Sequence, residues 1–330
     1  MRPRAARESN MDRSMTLPSP AAARVASRAA GTPPWRGLAV GLAAASIGAL
    51  YTVFAQWGIA RGMDATDMTF LRFAVAGVVM LPVLALALRR DARALIAQWR
   101  CWLAVSLLAG PLFGLLMFTA LKWAPTSHAA VFPFTAMSVM GMLMSARFFG
   151  DAITLRKGLG IAAVVLGLVL LSGLSVDSLS RQSLAGDALF IVAGTSWAGF
   201  GIVMRRYRLD PLLATAMISL AALLTYVPIY LAVVGLDRLL AAELTTLLVE
   251  IVVQGLIAGA GTLYAYSKMV ALLGPGRAAV FPALAPGLAA LLAWPVLGHV
   301  PSSVEAVGML VAIAGLLVAV TAPGRAAAAP

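Results

Sequence analysis

The sequence predicts an all-helical, polytopic membrane protein whose ten transmembrane segments form two inverted five-helix repeats, and three observations predict it. The first is composition: 61% of the 330 residues are hydrophobic and 12% charged, with a mean hydropathy of +0.93. No soluble domain has enough polar sequence to cover such a chain. The second is the recurrence of apolar runs of about twenty residues, each long enough at about 1.5 Å per residue to cross a hydrocarbon layer of about 30 Å. The third is a duplicated stretch, AAVFP at Ala129 to Pro133 and again at Ala278 to Pro282. Downstream of it Gly150, Gly160 and Gly167 keep register with Gly298, Gly308 and Gly315, which points to an internal duplication.

Along the chain, residues 1–36 hold seven arginines and two acids among Pro, Ser and Ala. They lack the apolar core of a secretory signal and read as a solvated basic cytoplasmic tail, with a transit peptide or a start at Met11 or Met15 as alternatives. Ten segments follow, at 38–58, 67–88, 101–121, 126–146, 157–174, 186–205, 211–234, 246–268, 276–298 and 303–322. The first five make a repeat over 37–175 and the second five a repeat over 184–322, with a short tail at 323–330. The short loops leave no room for an inserted soluble domain.

Lysine and arginine set the orientation. With the basic tail inside, twenty of the 25 lie in inside segments, Arg61, Lys122, Arg181 and Arg238 lie outside, and Arg72 falls within a helix. Both termini are therefore expected in the cytoplasm. The net charge of +12 is spread over loop clusters and not over one basic domain, which argues against nucleic acid as a partner. The single cysteine, Cys101, excludes a disulfide framework and a Cys-based metal site. Because each repeat has an odd number of helices, the second crosses the membrane in the opposite sense, an architecture that recurs in secondary transporters with a midplane site between the repeats.

The stretches ALKWAPTSHAAVFPFTAMSVMG and MVALLGPGRAAVFPALAPGLAALLAWPVLG, each followed by a glycine-spaced helix, resemble the EamA-type repeat of the drug/metabolite transporter superfamily. The resemblance covers about residues 37–322. It implies a carrier in the bacterial inner membrane, exporting amino acids or related metabolites, with a cavity lined mainly by helices 1, 3, 4, 6, 8 and 9. This chain departs from the family pattern in two places. The Trp-Gly pair of each repeat's first helix is Ile47-Gly48 in one copy and Trp197-Ala198 in the other. The acid after the Leu-Gly is Asp151 in the first copy and His299 in the second.

No phosphate-binding G-x-x-x-x-G-K-S/T and no H-E-x-x-H is present, and GTSWAG at Gly194 to Gly199 misses the spacing of a nucleophile elbow. No cofactor and no metal is expected. What stands out is polar, aromatic and proline residues inside apolar helices, where lipid penalises charge. Glu250 and Gln254, four apart, share a face of the eighth helix, and Trp197 lies mid-way along the sixth. Tyr264, Tyr266 and Ser267 read as interfacial anchors nearer the cytoplasmic end. Glu250 and then Asp187 are the candidates for taking up a coupling proton. Pro133 and Pro282 interrupt the fourth and ninth helices at matching places, with Phe132 and Phe281 beside them as candidate cavity walls. Arg72 lies five residues past Asp67, about 7 Å below the outer helix end. Its charge is offset by snorkelling, by Glu250, or by an anionic group of a substrate.

The reading is a secondary carrier that moves a small organic molecule across the bilayer, outward, by alternating access. A lipid-carrier flippase, an intramembrane enzyme and a structural membrane subunit are the rival readings. A homodimer is an open arrangement.

Overall fold

The computed structural model describes residues 34–124, 126–172, 180–297 and 302–322. All described elements are helical, and ten helices are long and apolar enough to cross a membrane. They are α1 (Trp35–Ile59), α2 (Ala65–Arg93), α3 (Trp99–Trp123), α4 (His128–Phe149), α5 (Leu155–Ser172), α6 (Arg181–Arg206), α7 (Pro211–Val233), α8 (Leu244–Leu273), α9 (Pro275–Val296) and α10 (Ser303–Thr321). A short helical turn, Asp237–Ala241, precedes α8. The basic tail and His299 lie outside the described residues.

Helix starts fall where short polar side chains satisfy the free amides of the first turn. Asp64 with Asp67 opens α2, Ser180 with Ser183 opens α6, and Ser302 with Glu305 opens α10, each as a reciprocal capping box. This is why α2 and α6 begin earlier than the expected 67 and 186: apolar runs mark the hydrocarbon layer, and caps lie outside it. At the far end of α4, Gly150 takes φ +68°, a conformation that costs glycine nothing and stops the helix.

The repeats interlock. α1 packs on α8 and α9 as α6 packs on α3 and α4, and α2 lies against α7 and α8. The tightest union is α5 with α10, and the duplicated glycines make it. A side chain on Gly160 would collide with the backbone of Gly315 and Ala319, and one on Gly167 with the backbone of Gly308 and Ala312. Gly308 and Gly315 return the same contacts to Gly167 and Gly160. The pairing is antiparallel and pseudo-symmetric, as an inverted duplication requires. Large apolar side chains such as Leu107, Leu166 and Leu310 are exposed on the outside of the bundle, where lipid would meet them.

Each end carries an ionic clamp. At the end near α2's start, Arg238 bonds Asp64 and Asp67, and the Tyr230 hydroxyl donates to Asp67 at 2.6 Å. Lys122 also pairs with Asp64. At the opposite end, Arg205 bonds Asp151 at 2.8 Å and the Ser145 hydroxyl donates to the same carboxylate. Burial pushes the Asp151 carboxyl up, but Ser145 and Arg205 outweigh it and hold it below the ordinary aspartate value. The clamp therefore stays ionised through neutral pH, and whatever stability it adds is lost only as pH falls below the ordinary aspartate range.

Candidate functional site

Proline chemistry shapes the middle of the bundle. Pro133 lies within a continuous α4, whereas α9 is broken: the chain runs Pro275–Ala278 as one helical turn and Phe281–Leu284 as a 3-10 turn before the helix resumes at Ala285. The expected matching interruptions are thus unequal. Pro282 and Pro286, four apart, remove amide donors from successive turns of α9, while α4 has one proline and loses one bond. α3 also breaks, at Gly110 ahead of Pro111, and the Ser196 hydroxyl donates to the freed Leu108 carbonyl at 2.8 Å. That bond is what the serine of GTSWAG does.

Between the repeats lie two cavities that share part of their walls. The outer part, about 250 Å³, is lined by α1, α3, α4, α5, α9 and α10. Tyr51, Met117, Phe134 and Ala285 border both this part and an inner chamber of about 50 Å³. The chamber joins Gly48 and Tyr51 of α1, Arg72 of α2, Phe113 of α3, Pro133 of α4, Trp197 of α6, Thr262 and Tyr266 of α8, and Pro282 of α9. These are the helices that the resemblance implied, with α2 added through its arginine. Below it Trp197, Phe200 and Tyr266 form a plug, their ring centroids 5.2 to 5.8 Å apart, so this conformation opens toward the end bearing Glu305 and closes toward the basic end.

Arg72 is 3% exposed, so it does not snorkel. Its guanidinium lies over the Tyr51 ring at 4.7 Å, and it forms no ion pair among the described residues. The pairing with Glu250 offered by sequence is absent here. Glu250 is wholly buried instead, wedged against Gly58 and Met68, and neither of its oxygens has a hydrogen-bond partner among the described residues. Gln254 donates from Nε2 to the Tyr51 carbonyl at 2.9 Å, and its Oε1 has no partner among the described residues.

The eighth helix explains how such a row is held inside. Glu250, Gln254, Ala258, Thr262 and Tyr266 are spaced by four and all buried. In a regular α-helix each step of four overshoots a full turn by about 40°, so five such residues would spiral across the surface. Residues Ile251–Ala260 are π-helical, with wider turns that cancel the drift and keep the row facing inward. Gly255 and Gly259 let this segment close on α2, against Val75 and against Ala76 and the Arg72 carbonyl, so the G-x-x-x-G is packing.

The remaining sequence candidates divide. Trp197 and both prolines line the chamber. Phe281 instead packs against Gly41 of α1, and Phe132 against His128, while Phe134 takes the wall position expected of them. Asp187 is buried between α4 and α6, where its Oδ1 meets His128 Nδ1 at 2.8 Å. Tyr266 corrects the reading of an interfacial anchor: it is 2% exposed and lies in the chamber wall, its hydroxyl without a hydrogen-bond partner among the described residues. Spacing by four from Glu250 was the signal that could have found both Tyr266 and Thr262. Nothing in the sequence marked Tyr51, which reaches Arg72 only through the packing of α1 on α2 and α8.

The sequence model of the EamA-like transporter family matches residues 35–173 and 184–321. Among solved structures, one described only as the crystal structure of a protein superposes over 87% of this chain and 97% of its own, with a TM-score of 0.66 at 18% identity, a likeness of fold. No curated protein matches the sequence.

Proposed function

The chain belongs to the EamA-like transporter family, within the drug/metabolite transporter superfamily, and on that premise we propose that it is a secondary carrier, not an enzyme, that exports small organic metabolites bearing an anionic group. Amino acids and related carboxylates are the substrate class. The observation that carries this reading is Arg72: a buried guanidinium in the wall of the central chamber, over Tyr51, with Trp197 and Phe113 in the same wall and no carboxylate paired with it among the described residues. A fixed charge in such surroundings costs several kcal/mol unless a partner arrives, and a substrate carboxylate fits the guanidinium fork bidentately. Pro282 and the broken α9 supply the bending element for alternating access between the repeats, proposed to span 37–175 and 184–322.

Glu250 is proposed as the proton site. Its carboxylate is wholly buried within α8 and faces α1 and α2, the two helices that carry Tyr51 and Arg72. In sealed vesicles without nucleotide, an imposed pH gradient should drive accumulation by the wild type. Glu250→Gln should lose the response to the gradient while still exchanging substrate across the membrane. A mutant that follows the gradient as the wild type does removes Glu250 from coupling.

The proposed setting is the bacterial inner membrane with both termini in the cytoplasm. Reporter fusions after Arg90, Arg156 and Arg208 should then read cytoplasmic, and fusions at Arg61, Arg181 and Arg238 external. One reversed fusion breaks the inverted topology.

A further inference from the structure

At the basic end, a basin of about 1160 Å³ opens between the α4–α5 connection, the end of α6, the α8–α9 turn and the end of α10. Its walls carry five cationic side chains, Lys157, Arg205, Arg206, Arg208 and Arg277, against one acid, Asp151. Some of this charge is accounted for. Arg205 bonds Asp151 and lies over the Phe149 ring at 4.1 Å, and Arg277 donates from Nη2 to the Ala322 carbonyl at 2.9 Å. Arg206 and Arg208 are exposed, as the ordinary charge bias of membrane proteins allows.

Lys157 is not accounted for. It is 8% exposed and lines the basin, its Nζ tucked against Gly276 in the α8–α9 turn, where an added Cβ would meet it at 3.1 Å. The side chain makes no hydrogen bond or ion pair among the described residues, because Asp151 is held by Arg205 and Ser145. Charge bias explains lysines in water; it does not explain one more than nine-tenths removed from it, whose nearest opposite charge is the Asp151 carboxylate that Arg205 and Ser145 already bond. A further irregularity lies on the rim: Arg208 holds φ +50°, a conformation that side chains rarely adopt.

We propose that this basin binds a phosphate-bearing anion, with Lys157 as its innermost ligand and Arg277, Arg206 and Arg208 around it. Phosphate suits the site better than a lone carboxylate does. It carries one charge as a diester and up to two as a monoester, with at least two acceptor oxygens in either form, which a cationic surplus of this size can meet from more than one side. An amino acid would bring its ammonium into the same field and be opposed, so the basin is distinct from the Arg72 chamber, from which the Trp197–Tyr266 plug separates it. The phosphate has two sources of the same chemistry: a soluble phosphate ester, or the headgroup of an anionic phospholipid.

The test uses the purified full chain and reads binding, not transport. In phospholipid-free detergent micelles, inorganic phosphate at saturation should raise the unfolding temperature by about 3 °C over chloride at matched ionic strength. Lys157→Arg should keep this shift and Lys157→Gln should lose it. In nanodiscs, phosphatidylglycerol in place of phosphatidylcholine should produce the same Lys157-dependent shift if the source is lipid. A shift with phosphate in micelles assigns a soluble ester, and a shift confined to phosphatidylglycerol assigns the headgroup. As a readout that needs no variant, phosphate or phosphatidylglycerol should slow amine-reagent labelling of Lys157 relative to Lys268. Equal stabilisation of wild type and Lys157→Gln, or labelling of Lys157 unchanged by either anion, overturns the proposal.

Discussion

Gly167→Leu is expected to abolish the folded protein. In the α5–α10 union the neighbours of Gly167 are backbone atoms of Gly308 and Ala312, which cannot swing aside as a side chain would. Overpacking a well-filled core costs about 1–3 kcal/mol when neighbours can shift. Here the helices must separate along their length, releasing the contacts of Gly160 with Gly315 as well. That approaches the whole stability of a domain, about 5–15 kcal/mol. Size-exclusion chromatography of the detergent-solubilised variant should show aggregate in place of the wild-type peak. Gly158→Leu is the control, on the same helix but with no described residue within 4 Å of an added Cβ, and should elute as the wild type does. A monodisperse Gly167→Leu variant contradicts the packing.

Arg72→Leu should reduce transport to background while the protein inserts and elutes normally. Loss of the guanidinium leaves Tyr51, Trp197 and Phe113 in place and relieves a buried charge, so folding should if anything improve. Arg72→Lys keeps the charge but loses the planar fork and its stacking on Tyr51, and should cut transport about tenfold or more. If the leucine variant transports as the wild type does, Arg72 has no part in the pathway.

The all-helical fold was readable because a bilayer forces each span into a helix of set length, and because the glycines of the duplication recur in register. Their purpose was not readable: only the three-dimensional arrangement brings Gly160 to Gly315 and Gly167 to Gly308 across the repeats. Arg72, Glu250, Gln254 and Trp197 stood out since charge and polarity in apolar helices are anomalous on their face. Tyr266 and Thr262 did not, because tyrosine and threonine are unremarkable in a membrane helix until the π-helical turns of α8 rotate them into line with Glu250. Phe132 and Phe134 both adjoin Pro133, and the duplicated AAVFP pairs Phe132 with Phe281, but two residues along α4 turn the side chain by about 200°, and only Phe134 meets the chamber. His128 and Asp187 are 59 positions apart and met only once α4 packed on α6.

The central claim is that the chamber receives an anionic group on Arg72, and the substrate itself provides the most direct test. Nucleotide-free vesicles containing the purified chain should be loaded with a panel of labelled carboxylates, amino acids among them, each compared with its methyl ester, and wild-type-dependent efflux measured against empty vesicles. At least one carboxylate should leave by the carrier, its ester should not, and Arg72→Leu should abolish the difference. Equal carrier-dependent efflux of acid and ester would contradict it.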